Sequence, residues 1–596
     1  MRDYGNFLKS NSGIFAVLAA GLVLAFVLGS AFHLNLLTIA ILWMVLSLSW
    51  NLVSGYAALV SFGHAVFFGL GAYAIVLLQL KFQLSPWLGL PLATLLGAGA
   101  GMLIGVITLR LSGVYFALAM LCYPMALIYL FEYLGLQEVT VPMHREEPLW
   151  FMQFQDQRSY AFLALGLLGL ALVLCKAVEQ SRFGLWLRAI KQNEPAALAL
   201  GVRCFRWKLL ALTLSGGLGA AAGALYAEVV LVVTPTSVFG MVVSAQALVL
   251  TLFGGLGTMW GPVIGAVLLV PLAELLKHEL GAELPGINGV IFGAIVVATV
   301  LLAPRGIFWR VREALGWKTA NDPFSKPGDS ATAYASQWVP EQGARTDPAE
   351  SNVPLLRVEG LKRSFGGVTA ADNVSFEVRQ GEILGVIGPN GAGKTTLMNL
   401  INGYIAADAG SVSLDGQGLL GKSVHEVARS GIGRTFQVAR VFPDMTLFGN
   451  VAVGALAGPS SGDWRAATWR ALDLVGLRSR ADVLGGQATA RDLRLMELAR
   501  AASQRPKLIL VDECLAGLSS DDVEEMVAAL LRLRDAGTTI MIIEHTMHAM
   551  LRLADRFLVL DHGCVIAEGE PRSVMQLPQV LEAYLGRRFA EGLAHA

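Results

Sequence analysis

Ten apolar runs crowd the stretch of this 596-residue chain up to about Arg305, and the apolar excess ends there. Lipid offers a backbone no hydrogen-bond partner, so a helix needs about 20 mainly apolar residues to cross a bilayer. The runs lie at 14–32, 34–52, 58–80, 86–108, 112–134, 159–178, 208–232, 238–253, 262–276 and 286–303. The eighth and ninth are short and separated by FGGLGTMWGP. The first follows Arg2 and Lys9, as a signal peptide would, but it is long for one and further spans come at once, so it reads as a membrane helix. The mean hydropathy of +0.58 therefore averages two unlike halves, a membrane bundle and a soluble α/β domain.

Charge excludes one class of partner and sets an orientation. With 45 basic and 45 acidic residues there is no net charge, and no basic stripe to neutralise phosphates, so no nucleic-acid partner is expected. Segment 176–208 carries Lys176, Arg182, Arg188, Lys191, Arg203, Arg206 and Lys208 against Glu179 and Glu194, which places it inside. Segment 135–158 has no such excess and suits the outer side. The five cysteines (Cys122, Cys175, Cys204, Cys514, Cys564) show no metal or disulfide spacing and read as reduced thiols.

Inside the apolar half, Gly97, Gly101 and Gly105 recur every four residues, and Gly219 and Gly223 repeat the pattern, a small-residue face for close helix packing. His64 and Glu228 are ionisable groups within spans; each either lines a pathway or is a satisfied hydrogen bonder. Gly/Pro-broken stretches at 54–64 and 254–262 suggest discontinuous helices. The expected domains are a membrane domain at 1–310, a flexible Pro-, Ser- and acid-containing linker at 311–352, and a soluble domain at 353–596.

In the soluble half, Gly388-Pro389-Asn390-Gly391-Ala392-Gly393-Lys394-Thr395 fits the Gly-x-x-x-x-Gly-Lys-Ser/Thr phosphate loop without mismatch. It follows an apolar strand-like run and precedes a helical one that begins with Thr396. Its glycines let backbone N–H groups curl around phosphate oxygens at a helix N-terminus. Lys394 would reach the β/γ-phosphates, and Thr395 would ligate Mg²⁺. LILVDE (Leu508 to Glu513) is a buried strand ending in two acids, Asp512 suited to Mg²⁺ and Glu513 to polarising water. IMIIEH ends a second apolar strand in His545, a candidate partner of the γ-phosphate. Gln437, in GIGRTFQ, is placed to touch Mg²⁺ and water, and Phe365, in KRSFGGV, to stack on adenine.

These elements, in this order and spacing, resemble the nucleotide-binding domain of an ABC transporter over about 353–590. In family terms Phe365 matches the A-loop, 388–395 Walker A, Gln437 the Q-loop, 508–513 Walker B and His545 the H-loop. RTFQVARVFPDMTLFGNVAVGA and IIEHTMHAM further resemble the ATPases of branched-chain amino-acid importers. NLVSGYAALVSFGHAVFFGLGAYA, SGVYFALAML and FGLWLRAIKQNEPAALALGV resemble the permease of the same systems. The resemblance implies a polytopic all-α membrane domain of about ten spans followed by an α/β P-loop ABC domain, that is, a permease fused to its own ATPase and powered by ATP with Mg²⁺. It implies a second permease subunit, a second ABC ATPase subunit and a periplasmic solute-binding protein as partners. The place it implies is a bacterial inner (plasma) membrane, with N-terminus and ATPase domain cytoplasmic. Branched-chain or other hydrophobic amino acids are the implied solutes, with urea or small organic and aromatic acids as alternatives.

An ATP-driven exporter is the rival class, but it would have six spans with long cytosolic helical extensions. A membrane-anchored soluble P-loop kinase or GTPase fails on the ten spans and on His545. Several features depart from or refine the resemblance. The family signature, counted back from LARA at 498–501, falls on Ala488, Thr489, Ala490, Arg491 and Asp492, with arginine where the family has glycine. The nearby LGGQ at 484–487 stands about five residues too early, roughly 140° away if on one helix. Cys514 replaces a proline after Glu513, and LGLQEVTVPM replaces a glycine-rich patch after the fifth span. Ala189 to Gly201, with Glu194 and Leu198 within it, resembles the coupling helix that seats in a groove of the ATPase.

Overall fold

The computed structural model describes residues 2–111, 113–144, 146–280, 287–303, 305–314, 324, 354–458 and 461–585. Most of the expected linker at 311–352 lies outside them, as does Arg145 of the expected outer segment. The chain divides into two compact units, one of residues 1–191 and 205–320, the other of 192–204 and 321–596.

Among the described residues, eight helices of the first unit are long and apolar enough to cross a membrane: Ala31–Gly55, Ala65–Phe82, Pro86–Thr108, Val114–Tyr133, Gln157–Gln180, Cys204–Val230, Pro235–Gly254 and Trp260–Lys277. The first expected span is an apolar stretch of 17 residues, Asn11–Val27, and the tenth is the 16-residue helix Ile287–Leu302. The two small-residue faces serve different neighbours: Gly97 and Gly101 pack on the backbone of Cys204–Val230, whereas Gly219 and Gly223 pack on Ala65–Phe82 at Phe67 and Phe68. A Cβ on Gly97 would lie 2.5 Å from Gly216 O, and one on Gly101 2.6 Å from Leu212 O, so Pro86–Thr108 and Cys204–Val230 approach closely only as glycine helices.

Both intramembrane ionisable groups have partners. His64, fully buried, has Nδ1 3.0 Å from Ser61 Oγ and Nε2 2.7 Å from Ser215 Oγ. Glu228 accepts a hydrogen bond from the Gln79 side-chain amide. The expected helix breaks are present. Ala31–Trp50 continues into a π-helical turn, Asn51–Gly55, and the next helix starts at Ala65; likewise Gly254 ends one helix and Trp260 begins the next.

One expectation is corrected here. Ala189 to Gly201 is not a single helix: Ala189 lies on Arg182–Gln192, in the first unit, and a separate short helix spans Glu194–Ala199 in the second. The cause is local. Asn193 turns extended (φ −158°) and its side chain accepts from Ala196 N at 3.0 Å, while Pro195 suits the first turn of a new helix and disfavours continuation of the old one.

The second unit holds a six-stranded sheet in the order Cys564–Gly569, Arg556–Asp561, Ile383–Ile387, Thr539–Ile543, Leu508–Asp512, Ile432–Arg434, parallel except at its first edge. Ile383–Ile387, Leu508–Asp512 and Thr539–Ile543 are buried at every position, the near-continuous apolar pattern of strands covered on both faces. A four-stranded antiparallel sheet runs Val368–Arg379, Pro354–Phe365, Ala409–Leu414, Gln417–Gly418. In the parallel sheet Asp512 is in register with Ile543, so the residues that follow both strands emerge side by side at the carboxyl edge, where ligands of such sheets bind.

Candidate functional site

The phosphate loop leaves the Ile383–Ile387 strand at Gly388 and enters the helix Lys394–Ile401. Two of its glycines are required by geometry. Gly393 has φ +96° with Ala370 O 2.2 Å from a would-be Cβ, and Gly388 has φ +149° with Leu560 O at 2.0 Å. Lys394 Nζ donates to Gly388 O at 2.7 Å and Pro389 O at 2.9 Å. Burial draws the Lys394 ammonium below the usual lysine range, and the neighbouring Glu513 and Asp512 carboxylates oppose that shift. Thr395 is exposed at the start of the same helix.

Across from it, Asp512 is 2% exposed and ends its strand with Oδ1 lacking any hydrogen-bond partner. Burial pushes its carboxyl above the usual range; Arg434, 3.8 Å away, pulls it back, and Glu513 adds to the rise. A buried carboxylate oxygen without a donor is the orphan that a hard divalent cation satisfies. Glu513 follows at φ +45°, a left-handed conformation unusual for a side-chain-bearing residue and typical of functional sites. Its N–H donates to Ile543 O at 2.9 Å, which ties the turn to the neighbouring strand. The carboxylate is then held from two sides: Gln437 Nε2 donates to Oε2 at 2.8 Å, and His545 Nε2 lies 3.3 Å from Oε1. Gln437 and His545, far apart in sequence, thus meet on the Glu513 carboxylate. Phe365 stands apart on the antiparallel sheet, exposed, with the Arg363 guanidinium 4.8 Å from its ring centroid.

The signature region is resolved by where its helix starts. Ala490–Ala502 is helical, and Thr489 caps it: Thr489 Oγ1 accepts from Asp492 N at 3.2 Å, and Asp492 Oδ2 from Thr489 N at 3.2 Å. LGGQ lies outside that helix, with Gly485–Gln487 in a 3₁₀ turn, so it is removed from the helix altogether and not rotated around it. Arg491 folds against Ser520–Asp535, paired with Glu525 and 3.7 Å from Asp522 Oδ1.

Three side chains that the sequence did not single out grip the 192–204 segment within this unit. Tyr404 Oη donates to Pro195 O at 2.9 Å, Arg429 Nε to Gly201 O at 3.0 Å, and Gln504 Nε2 to Leu200 O at 3.3 Å. Gly201 has φ +77°, and a Cβ there would sit 3.2 Å from Arg429 Cγ. All three bonds go to backbone carbonyls, which no side-chain motif of the segment could announce. A fourth unanticipated residue, Tyr584, accepts a hydrogen bond from Gly388 N at 2.7 Å.

Comparisons with known proteins match this arrangement half by half. The family described as branched-chain amino acid transport system / permease component matches residues 32–300, and the ABC transporter family matches 371–516. The high-affinity branched-chain amino acid transport ATP-binding protein LivG of Salmonella typhimurium is 37% identical over 252 residues, 39% of this chain and 98% of that protein. The chain belongs to the branched-chain amino-acid ABC transporter family. The high-affinity branched-chain amino acid transport ATP-binding protein BraF of Pseudomonas aeruginosa is 33% identical, again over 39% of this chain and 98% of that one. A solved nucleotide-free ATP-binding cassette from an ABC transporter is 30% identical and covered in full, over 39% of this chain, with a TM-score of 0.37. The transporter is thus a multi-pass membrane permease fused to an ABC ATPase that binds nucleotide and couples its hydrolysis to transport.

Proposed function

We propose that this chain is one permease–ATPase half of an importer for branched-chain or other hydrophobic amino acids, set in a bacterial inner membrane with the ATPase in the cytosol. The permease-family match over 32–300 carries the reading, because it sets the solute class apart from the ATPase, whose chemistry is common to every ABC system. A second permease, a second ATPase and a periplasmic binding protein complete the machine. Reconstitution of the assembled complex in proteoliposomes, with the binding protein, should give ATP-dependent accumulation of leucine, isoleucine or valine. Accumulation of urea or an aromatic acid in their place, or outward movement, would overturn the solute assignment.

Within the ATPase, Asp512, the Thr395 hydroxyl and the Gln437 amide oxygen would hold Mg²⁺, an all-oxygen set suited to a hard cation. When bound, the ion neutralises charge on the transferred phosphoryl group. Lys394 and the loop from Gly388 to Thr396 bind the phosphates, and Phe365 stacks on adenine. Glu513 orients and polarises the attacking water, with Gln437 and His545 holding its carboxylate in place and His545 facing the γ-phosphate.

The two ATP sites of the assembly are unequal when the partner ATPase has a glycine signature. This chain's own 488–492 segment completes the partner's site with Arg491 where glycine would let backbone N–H groups approach the phosphate. Because Arg491 is engaged by Glu525 and Asp522, it is not aimed at a ligand, and the site it completes is slow. The double substitution Thr489→Ser with Arg491→Gly should raise turnover measurably in steady-state hydrolysis; unchanged or lower turnover would make Arg491 a working replacement.

A further inference from the structure

Two interruptions in the membrane helices lie against each other and share their partners. Asn51, fully buried, opens the π-helical turn that ends one long helix. Its Nδ2 donates to Thr258 O at 2.9 Å and its Oδ1 accepts from Gly257 N at 3.0 Å, so one amide satisfies both a carbonyl and an N–H of the other break. Glu179 bridges the same pair, accepting from Tyr56 Oη on one break and from Met259 N, at 3.2 Å, on the other. Lys191 Nζ donates to Gly55 O at 2.8 Å, and Trp309 Nε1 to Leu256 O at 3.3 Å. The fit leaves no room: a Cβ on Gly55 would meet Asn51 Oδ1 at 1.8 Å, and Gly257, at φ +77°, would place one 3.1 Å from both Gly55 O and Lys191 Nζ.

Breaking a membrane helix frees backbone groups that must find partners inside the protein. Separate caps would meet that need. Here Asn51, from the turn that ends one helix, caps the other break, and Glu179 accepts from both, which makes one joint out of two. The remaining members sit where the chain leaves the membrane unit. Lys191 directly precedes Gln192, the first residue assigned to the second unit, and Trp309 lies on Ile307–Ala314, the last helix described before residue 321. π-Helical turns recur at functional positions in helices, and discontinuous helices are the moving parts of many transporters.

We propose that Asn51 is a positioning residue for transport: it locks the breaks at 56–64 and 255–259 into a single joint, so that a displacement arriving through Lys191 or Trp309 moves both interrupted helices in step. Asn51→Asp keeps the acceptor for Gly257 N and sets an oxygen against Thr258 O, which opens the joint without changing its size. In the assembled complex in proteoliposomes, this variant should hydrolyse ATP within about twofold of wild type while solute moved per ATP falls about tenfold, the scale of one lost buried hydrogen bond with its partner stranded. Lys191→Met, which keeps the stem and removes the ammonium, should shift the same ratio in the same direction and reads the joint from a half-buried site.

Amide exchange supplies a readout independent of the solute. On ATP addition, protection at 56–64 and 255–259 should change together in wild type, whereas in Asn51→Asp one of the two should cease to respond. Failure of the wild-type complex to move branched-chain amino acids would sink the solute assignment but leave this comparison intact. Transport and hydrolysis falling in proportion, or both segments responding in the variant as in wild type, would overturn the joint.

Discussion

Glu513→Gln should leave ATP bound as tightly as in wild type and slow hydrolysis by roughly 10²–10⁴-fold, the usual worth of a positioned general base. The geometry explains why the effect is confined to chemistry. Glutamine has the shape of glutamate, can occupy the same backbone conformation, and still offers one oxygen to its surroundings. It lacks the second acceptor, however, and Glu513 uses both oxygens, one for Gln437 and one beside His545. Lys394→Ala should fail differently. The Lys394 ammonium rests on two loop carbonyls and is the group proposed to reach the phosphates, so its loss should weaken nucleotide binding itself. Equilibrium ATP binding measured beside single-turnover hydrolysis separates the two variants. Near wild-type turnover by Glu513→Gln in the assembled complex would remove Glu513 from the proposed role.

The nucleotide machinery was legible because its requirements are local. A loop with positive φ at Gly388 and Gly393, where a Cβ would also strike a carbonyl, must spell glycine there, and a strand buried at every position must spell an apolar run such as LILV before its acids. The meeting of Gln437 and His545 on Glu513 followed from strand order, because each of the three leaves or faces a carboxyl edge of the same sheet. Helix breaks at 54–64 and 254–262 were legible for a similar reason, since glycine-rich interruptions of apolar runs have few other readings.

Long-range pairs were not legible. Tyr404 meets Pro195 across 209 positions, and Asn51 meets Thr258 across 207, through bonds to backbone carbonyls that carry no residue code. The division between Arg182–Gln192 and Glu194–Ala199 was different. Asn193 and Pro195 together signal the start of a new helix, yet the resemblance of the whole segment to one coupling helix overrode them. LGGQ is set apart from the signature position by more than rotation along one helix: the helix starts only at Ala490, behind its Thr489 cap.

Three hydrogen bonds to backbone carbonyls of the 192–204 segment add a test of the coupling contact beside Glu194 and Leu198. Arg429→Ala with Tyr404→Phe should cut uptake by at least about tenfold while ATP hydrolysis persists, since a charged and a neutral hydrogen bond together contribute about 2–4 kcal/mol, roughly 30- to 1000-fold in the seating equilibrium. Tyr404→Phe is a clean deletion: the ring keeps its place against Phe436 and beneath Arg434, and only the hydroxyl that bonds Pro195 O is lost. Arg429 lies on the short helix Val424–Arg429, opposite Gly201, where the left-handed turn presents its carbonyl; Gly201→Val would crowd Arg429 Cγ and strain that turn, and should reproduce the phenotype from the other side. Uptake and hydrolysis measured on the same proteoliposomes decide the matter. Full uptake by the double variant would mean that these bonds are dispensable and that force reaches the membrane helices elsewhere, whereas loss of both activities in proportion would mark a folding defect in the ATPase and not a broken linkage.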